Sequence, residues 1–349
     1  MKILVAMSGG VDSTVAAYIL KEKGYEVEGA YMQMLDTPAS VCACENARTA
    51  ARKMDIPFHI IDAKEAFRSC VLDYFVNAYL EGNTPNPCVR CNETIKFGYF
   101  IKYAKSVGCD KIATGHYARV AYNENTGLYE LRKSSDEAKD QSYFLYRLNQ
   151  EQLSYSLFPL EEISKEEVRM IAEKCDFNNA KTKDSQDICF VENGKYVDYI
   201  EAYTGKTLNP GYFVDTDGKI LAKHKGIACY TIGQRKGVGV SLGMGSPAYV
   251  ISKDALTNTV VMGADSLLFT NTINGNDICF IDGKFPNEPV KVMAKHRYNQ
   301  KPSEATIIVH RDGVLTVTAS FVMPQRAVTP GQSLVFYSGD KILGGAIVV

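Results

Sequence analysis

Lys2-Ile3-Leu4-Val5-Ala6-Met7-Ser8-Gly9-Gly10-Val11-Asp12-Ser13-Thr14 opens the chain, and the fold follows from how it is read. Lys2 to Met7 is a short apolar run, the length of one buried strand. Ser8-Gly9-Gly10 is a turn that leaves the backbone bare. Ser13-Thr14-Val15-Ala16-Ala17-Tyr18-Ile19-Leu20 has the spacing of an amphipathic helix. Strand, glycine turn and helix together make a cradle for phosphate. Glycines admit the anion to the backbone N–H groups, and the helix N-terminus adds donors and a partial positive charge. Ser8 and Ser13 add hydroxyls. An ordinary glycine turn is the plainer alternative; the full hexapeptide in this setting favours nucleotide binding.

The order Ser-Gly-Gly-Val-Asp-Ser is neither Gly-x-x-x-x-Gly-Lys-Ser/Thr nor Gly-x-Gly-x-x-Gly, and it holds no lysine for a γ-phosphate. It resembles the pyrophosphate loop of the N-type ATP pyrophosphatases. That resemblance implies cleavage of ATP between the α and β phosphates, with adenylation of a carbonyl oxygen. Asp12, beside the loop, suits Mg²⁺, a hard ion that prefers carboxylate and phosphate oxygens.

The chain has 349 residues, enough for two or three domains. Lys and Arg number 39 against 40 Asp and Glu, a net charge of −1, so any contact with nucleic acid must come from local patches. One lysine and a short apolar run at the N-terminus are too little for a signal peptide, and no stretch is long enough to span a bilayer. Ten cysteines in such a chain suggest thiols, metal or redox chemistry rather than a disulfide scaffold. The expected location is the cytoplasm.

Tyr25 to Met34 reads as a second strand, a helix is expected from about Glu45 to Met54, and Phe58 to Asp62 reads as a third strand. Alternating strands and helices of this length argue for a parallel, doubly wound α/β sheet. Ligands of such sheets sit outside the carboxyl ends of the strands, where the Ser8-Gly9-Gly10 loop lies. Cys42-Ala43-Cys44 has the look of a metal pair, but no second Cys pair or His cluster sits close by, and incidental thiols explain it better. His59, inside an apolar strand, reads as a core histidine.

After a helix from about Ala63 to Leu80, the stretch from Glu81 to Asn92 carries two prolines, three asparagines and a glycine, and reads as a loop. It presents Cys88 and Cys91. Glu93 to Lys105 reads as the next helix, so Cys91 is expected just before its N-terminus, where thiolate is favoured, with Arg90 acting in the same direction. Lys111 to Tyr117 is a strand ending in Gly115-His116. A hairpin from Ala118 to Arg132 follows, with Asn123-Glu124-Asn125-Thr126-Gly127 as its turn. Lys139-Asp140-Gln141 stands beside Tyr143 and Phe144, a mix that suits sugar, phosphate and base contacts or simply a helix cap. Lys181 to Asp187 is a polar turn ahead of Ile188-Cys189-Phe190.

From Gly205 to Gly263 the chain is rich in glycine and β-formers. Lys219 to Lys253 carries Lys219, Lys223, Lys225, Arg235, Lys236 and Lys253 and no acid. Pro289 to Ser303 carries Lys291, Lys295, Arg297 and Lys301, also without acid, beside Tyr298. Two basic stretches with an aromatic fit RNA better than a small molecule, the alternative being two solvated faces. Short alternating strands from about Phe269 to Val349 suggest a small antiparallel barrel. The expected division is a catalytic domain over residues 1–197, a small β-rich central domain that binds tRNA over 198–267 and a C-terminal β-barrel over 268–349.

Eight motifs in order then resemble one family. They are Ser8 to Ser13, Thr84-Pro85-Asn86-Pro87, Cys91-Asn92 with Ile95-Lys96-Phe97, Ala113 to Tyr117, Lys139 to Leu145, Ile188-Cys189-Phe190, Thr231 to Gly237 and Thr329-Pro330-Gly331-Gln332-Ser333. Together they look like the tRNA-specific 2-thiouridylases, over nearly the whole chain. The resemblance implies replacement of the C2 oxygen of the wobble uridine by sulfur in the tRNAs for Glu, Gln and Lys. It implies ATP at Ala6, Met7, Ser8, Gly9, Gly10, Val11, Asp12, Ser13, Met32 and Gly115, with Mg²⁺ accompanying it. Asn86, Pro87 and Cys88 would face the target base. His116, Lys139, Asp140, Gln141, Arg297, Tyr298 and Gln332 would touch the tRNA. Cys189 would carry a persulfide, delivered by a sulfur-relay protein, and Cys91 would be its catalytic partner. Neither DNA nor a membrane is implied.

This chain departs from the family pattern twice. Ala6-Met7-Ser8 stands where many members have Gly-Met-Ser, a small change. Asn86-Pro87-Cys88 stands where many have Asn-Pro-Asp, so a thiol replaces a carboxylate. Cys91 and Cys189 are 98 positions apart, and a disulfide between them needs their Cα atoms within about 6 Å. Three rivals stand beside this reading: an amide-forming ATP pyrophosphatase, a thiolase with an iron–sulfur cluster on Cys88, Cys91 and Cys189, and a non-catalytic RNA-binding protein with a structural metal.

Overall fold

The computed structural model describes residues 1–177, 188–242 and 246–349. The expected turn at Lys181 to Asp187 lies outside the described residues.

The first strands and helices are β1 (Lys2–Ala6), α1 (Val11–Glu22), β2 (Glu26–Gln33), α2 (Pro38–Lys53) and β3 (Phe58–Asp62). A helical run follows, from α3 (Lys64–Phe67) through a π-helical turn over Arg68–Leu72 into α4 (Asp73–Leu80). A second run starts at α5 (Pro87–Cys91), widens to a π-helix over Asn92–Tyr99 and ends as α6 (Phe100–Ser106). Then come β4 (Lys111–Thr114), the hairpin β5 (Arg119–Asn123) and β6 (Leu128–Arg132), α7 (Gln150–Tyr155), β7 (Ser156–Leu157), α8 (Lys165–Lys174) and α9 (Tyr196–Thr204).

Strands β1, β2, β3, β4 and β7 form a five-stranded sheet in the order β3-β2-β1-β4-β7, every pair parallel. Both faces are covered. Leu4, Ala30 and Ile112 pack into one core, and Ile3, Val5 and Ala113 into the other. That is why β1 reads as a continuous apolar run rather than an alternating one. The strand order reverses at β1, whose neighbours are β2 and β4. The crevice at their carboxyl ends is the place where doubly wound sheets bind ligands.

Two helices begin earlier than their composition suggests. α2 starts at Pro38, with Thr37 as its N-cap accepting a hydrogen bond from Ser40 N at 3.2 Å. Cys42 and Cys44 therefore sit inside a helix, where residues two apart do not share a face. Cys42 is exposed and Cys44 buried, so they are not a metal pair. α5 starts at Pro87 with Asn86 at its N-cap, so Cys88 and Cys91 lie on a helix and not in a loop. In both cases proline occupies the first helical position, where its missing N–H is harmless. His59 is half-buried rather than core, hydrogen-bonded to Glu28 at 2.7 Å and to Tyr103 at 3.1 Å.

The middle of the chain forms β8 (Gly211–Val214), β9 (Ile220–His224), the short pair β10 (Ser241–Leu242) and β11 (Ser246–Pro247), β12 (Tyr249–Asp254) and β13 (Thr259–Gly263). Four of these make a sheet in the order β12-β13-β8-β9 around Phe213, Val250 and Val260.

The last third forms β14 (Phe269–Phe280), β15 (Val290–Lys295), β16 (Ser303–His310), β17 (Thr316–Arg326), β18 (Ser333–Ser338) and β19 (Lys341–Val348). They run antiparallel in the order β14-β17-β16-β15-β18-β19, and pairing of β14 with β19 closes the barrel. Val314 lies exposed in the turn before β17.

The β5–β6 hairpin reaches out of the first domain and joins the barrel edge, Arg132 pairing with Lys341. Arg119 and Arg132 meet Asp340 at 2.6 and 3.0 Å, and Lys341 meets the buried Glu130 at 3.0 Å. A further link is at Thr84. Its N–H donates to Pro330 O at 2.8 Å, and its carbonyl accepts from Gln332 Nε2 at 2.7 Å.

Candidate active site: a phosphate loop facing a cysteine helix

Gly9 sits at the end of β1 with φ +81°, and a Cβ there would collide with the Ala43 carbonyl at 2.3 Å. Gly10 is the N-cap of α1 and offers no side chain to it. The turn is held instead from within. Ser13 Oγ and Thr14 Oγ1 each donate to Gly10 O at 3.1 Å, and Ser8 N donates to Ser13 Oγ at 3.0 Å. The N–H groups of the first turn of α1 therefore have no side-chain cap, which is the arrangement an anion fills.

From across the crevice, Gly115 closes on this loop. A Cβ on it would lie 2.7 Å from Ser13 N, so only glycine permits the approach. Met32 is buried near the end of β2 within the sheet core.

Asp12 stands in the first turn of α1, but its carboxylate is already engaged. Lys165 Nζ lies 2.7 and 2.8 Å from its two oxygens, and Tyr117 Oη donates to Oδ1 at 2.9 Å. A capping box between Ser164 and Glu167 starts α8 and sets Lys165 at its first position. Sequence alone gives Lys165 no role, and gives Tyr117 only its place in the motif Ala113 to Tyr117. Ser164-Lys165-Glu166-Glu167 announces a helix start, and nothing local announces its partner. A Mg²⁺ ion would find in Asp12 the carboxylate it favours, once Lys165 had moved to phosphate.

On the cysteine helix, α5 and the π-helical turns that continue it, Cys88 is exposed and Cys91 buried; Cys189, in a turn far along the chain, is exposed. Cys91 does not have the thiolate environment expected of it. Burial pushes its thiol up to about 12, Lys96 opposes this, and the charges of Cys189 and Cys88 raise it further. Although Cys88 and Cys189 are exposed as residues, the protein around each sulfur desolvates it and raises the thiol, again opposed by Lys96. The opposing cation is thus Lys96 and not Arg90, which pairs with Glu93 at 3.0 Å and covers Tyr74.

Phe190, next to Cys189, packs edge-on against Phe67 of α3 and Phe75 of α4 at 5.9 and 5.0 Å and so anchors the Cys189 turn on that helical run. All three cysteines are free. Among the described residues no three His, Cys, Asp or Glu side chains meet closely enough to hold a metal ion. The three thiols are therefore not arranged as ligands of a cluster in this structure.

Of the residues expected to meet tRNA, Asn86 is half-buried and its side chain does not cap α5. Pro87 is buried as the first residue of that helix. His116 hydrogen-bonds Thr114 Oγ1 through Nδ1 at 2.8 Å, and burial, with Lys96, holds it well below the usual histidine range. Lys139 is half-buried. Asp140 is buried and accepts from Ser134 N, Ser142 N and Ser142 Oγ, which makes it a holder of its own loop. Gln141 is zipped to Tyr117, accepting from its N–H at 3.1 Å.

Arg297 donates to the Ala327 carbonyl and to Thr329 Oγ1. Tyr298 packs on Phe144 at 4.6 Å. Gln332 holds the Thr84 carbonyl. Thr84, Thr231, Gln234, Arg297 and Gln332 line one cavity of about 410 Å³ where the three domains meet.

The basic stretches divide. Lys219, Lys223, Lys225, Arg235, Lys236, Lys291 and Lys301 are exposed. Lys295 is buried above Tyr143, Tyr298 and Tyr337 and donates to Tyr298 O. Lys253 donates to Tyr230 O, and burial lowers it to about 8. Lys295 is thus interior and Lys253 half-buried.

Comparison with known proteins agrees with this layout. Residues 1–193 match the family described as tRNA methyl transferase HUP domain, 197–264 the tRNA methyl transferase PRC-barrel domain and 270–348 the aminomethyltransferase beta-barrel domain. A tRNA-specific 2-thiouridylase of Clostridioides difficile is 46% identical over 356 residues, covering 99% of this chain and 98% of that protein. One from Acetivibrio thermocellus is 46% identical over 358 residues, covering 99% of each. Among solved structures, a U34-tRNA thiolase from Methanococcus maripaludis matches at 20% identity with a TM-score of 0.37, over 58% of this chain and 66% of that one. With a phosphate loop, a cysteine helix and full-length relatives of one kind, this chain belongs to the tRNA-specific 2-thiouridylase family.

Proposed function

We propose that this chain replaces the C2 oxygen of the wobble uridine with sulfur, in the tRNAs for Glu, Gln and Lys, at the expense of ATP. The observation that carries the reading is the position of two consecutive residues. Gly115 touches the phosphate loop at Ser13, while His116, next to it, packs against Phe97 of the cysteine helix at 5.7 Å. A nucleotide on the loop and a base at Asn86 to Cys88 would therefore meet beside the thiols.

The chemistry needs both sites. A carbonyl oxygen is a poor leaving group, and adenylation makes it part of AMP. The uncapped N–H groups of α1 bind the phosphates and favour charge on the departing pyrophosphate. Mg²⁺ bound with ATP supplies further charge neutralisation there. His116, held neutral by burial and by Lys96, adds no charge between the loop and the thiols. A persulfide on Cys189 then attacks C2 and AMP leaves. Cys91 attacks the inner sulfur of Cys189, the S–S bond of the persulfide breaks, and 2-thiouridine departs. A Cys91–Cys189 disulfide remains for an external dithiol to reduce. The persulfide itself comes from a sulfur-relay donor protein.

Incubation with ATP, a persulfide donor and unmodified tRNA, followed by nucleoside analysis, tests this. Appearance of 2-thiouridine with tRNA-dependent release of AMP supports it. AMP release without tRNA, on a small acceptor, would return the chain to the amide-forming relatives of its fold. Among the described residues no helix is long and apolar enough to cross a membrane.

A further inference from the structure

Ile95-Lys96-Phe97 is the one motif on the cysteine helix that neither ATP nor tRNA contacts account for. Ile95 and Phe97 are fully buried and fix the turn. Lys96 between them is half-buried, and among the described residues it makes no hydrogen bond and no ion pair. The acid nearest to it on the helix, Glu93, is taken by Arg90 at 3.0 Å and Arg147 at 2.8 Å.

The helix is π-wound from Asn92 to Tyr99. In an α-helix five residues overshoot a full turn by roughly 140°, which would carry Lys96 away from Cys91. Hydrogen bonds to the fifth residue widen the turn and bring Lys96 back towards the Cys91 side. Its charge reaches Cys88, Cys91, Cys189 and His116 together. No carboxylate is among the groups that act on the three thiols; the other titratable groups facing them are Tyr31 and Tyr199, both beside Cys189.

We propose that Lys96 is the cation that binds the sulfur under transfer, pairing with the terminal sulfur of the Cys189 persulfide. This rests on the thiolation reading above. A persulfide is more acidic than a thiol, so beside an ammonium its outer sulfur is an anion and a nucleophile at neutral pH. When that sulfur bonds to C2, the electron pair of the C2–O bond leaves with AMP. Cys91, close to the same ammonium, gives up its proton and attacks Cys189 Sγ. The electron pair of the persulfide S–S bond goes to the sulfur on C2, which becomes the thione as N3 takes up a proton.

The test reads sulfur ionisation separately from turnover. Alkylation of Cys189 by iodoacetamide, followed by peptide mass spectrometry across pH, gives the ionisation midpoint in wild type, Lys96→Met and Lys96→Arg. Loss of the charge should raise the midpoint by about one unit or more, and arginine should restore it. In 2-thiouridine formation at pH 7, Lys96→Met should lose at least about tenfold, the same unit read as a rate. ATP binding should be retained, which also reports that the variant is folded. An unchanged midpoint, or a shifted midpoint with wild-type thiolation, overturns the proposal. A wild-type enzyme that makes no 2-thiouridine overturns the functional reading instead, and the alkylation profile still decides whether Lys96 acts on the sulfur.

Discussion

Lys165 Nζ sits 2.7 and 2.8 Å from the two carboxylate oxygens of Asp12, tying the first turn of α8 to the first turn of α1. Both turns border the phosphate loop. The loop lacks the lysine that other phosphate loops carry within their own sequence, and here one arrives from 153 residues away. An ammonium in that place is within reach of phosphate as soon as it leaves Asp12.

Lys165→Met should therefore lower tRNA-dependent AMP formation by tenfold or more. It should also destabilise the fold by about 1–3 kcal/mol, because Asp12 loses a partly buried partner. Single-turnover AMP release and urea unfolding measure the two effects. Asp12→Asn is the companion variant, since it keeps the Tyr117 contact while removing the carboxylate charge. Normal AMP formation by both variants would remove the pair from the ATP site.

Cys91→Ser and Cys189→Ser should each abolish 2-thiouridine formation while ATP still binds, because neither residue lies in the phosphate loop. Cys88→Asp should keep substantial activity: Cys88 is exposed, and it stands where the resemblance implies an aspartate. After one turnover without reductant, peptide mapping should find Cys91 joined to Cys189. A Cys88→Asp enzyme that is inactive and has lost bound iron would instead point to a cluster.

The exposed and buried lysines of the basic stretches should separate cleanly. Arg235→Ala with Lys236→Ala should weaken tRNA binding and reduce its log–log salt slope by up to about 2. Lys295→Ala should leave that slope unchanged and lower stability, since it removes the ammonium packed over three tyrosine rings. Filter binding across a salt series, beside thermal unfolding, distinguishes them.

Acid should loosen the joint between the hairpin and the barrel. Hydrogen bonds from Asn123, Lys341 and Arg132 hold the buried Glu130 carboxyl down at about 2. A carboxyl lowered by folding stabilises fully above its ordinary value of 4.5, and that contribution fades as pH falls from there towards 2. Glu130→Gln should cost about 2 kcal/mol at pH 7, roughly half of that or less at pH 3, and nothing below about pH 2. Urea midpoints at pH 7 and pH 3 measure it; equal losses at both would mean that Glu130 acts through shape alone.

Two helix starts show where reading by composition fails. Thr37-Pro38 and Asn86-Pro87 both pair an N-cap residue with proline at the first helical position. Counting prolines and asparagines makes the second of these a loop. Recognising that proline needs no hydrogen-bond partner in a first turn makes it a helix. The difference decides the chemistry: a helix N-terminus would favour thiolate at Cys91, but Cys91 lies buried at the end of that first short helix.

What the sequence determined by itself was local or periodic. The apolar run Lys2 to Ala6, the glycines at 9 and 10 and the alternation of strands with helices carry their meaning within a few residues, because turn sterics and core burial act over that range. The order of motifs was enough to name the family. Tertiary structure alone decided which charges meet. Asp12 found Lys165, Cys91 found Lys96 and Cys189, Glu130 found Lys341, and Lys295 was turned inward beneath tyrosines. Ion pairing and desolvation depend on distance and burial in space, and a linear sequence specifies neither until the sheet and barrel have closed.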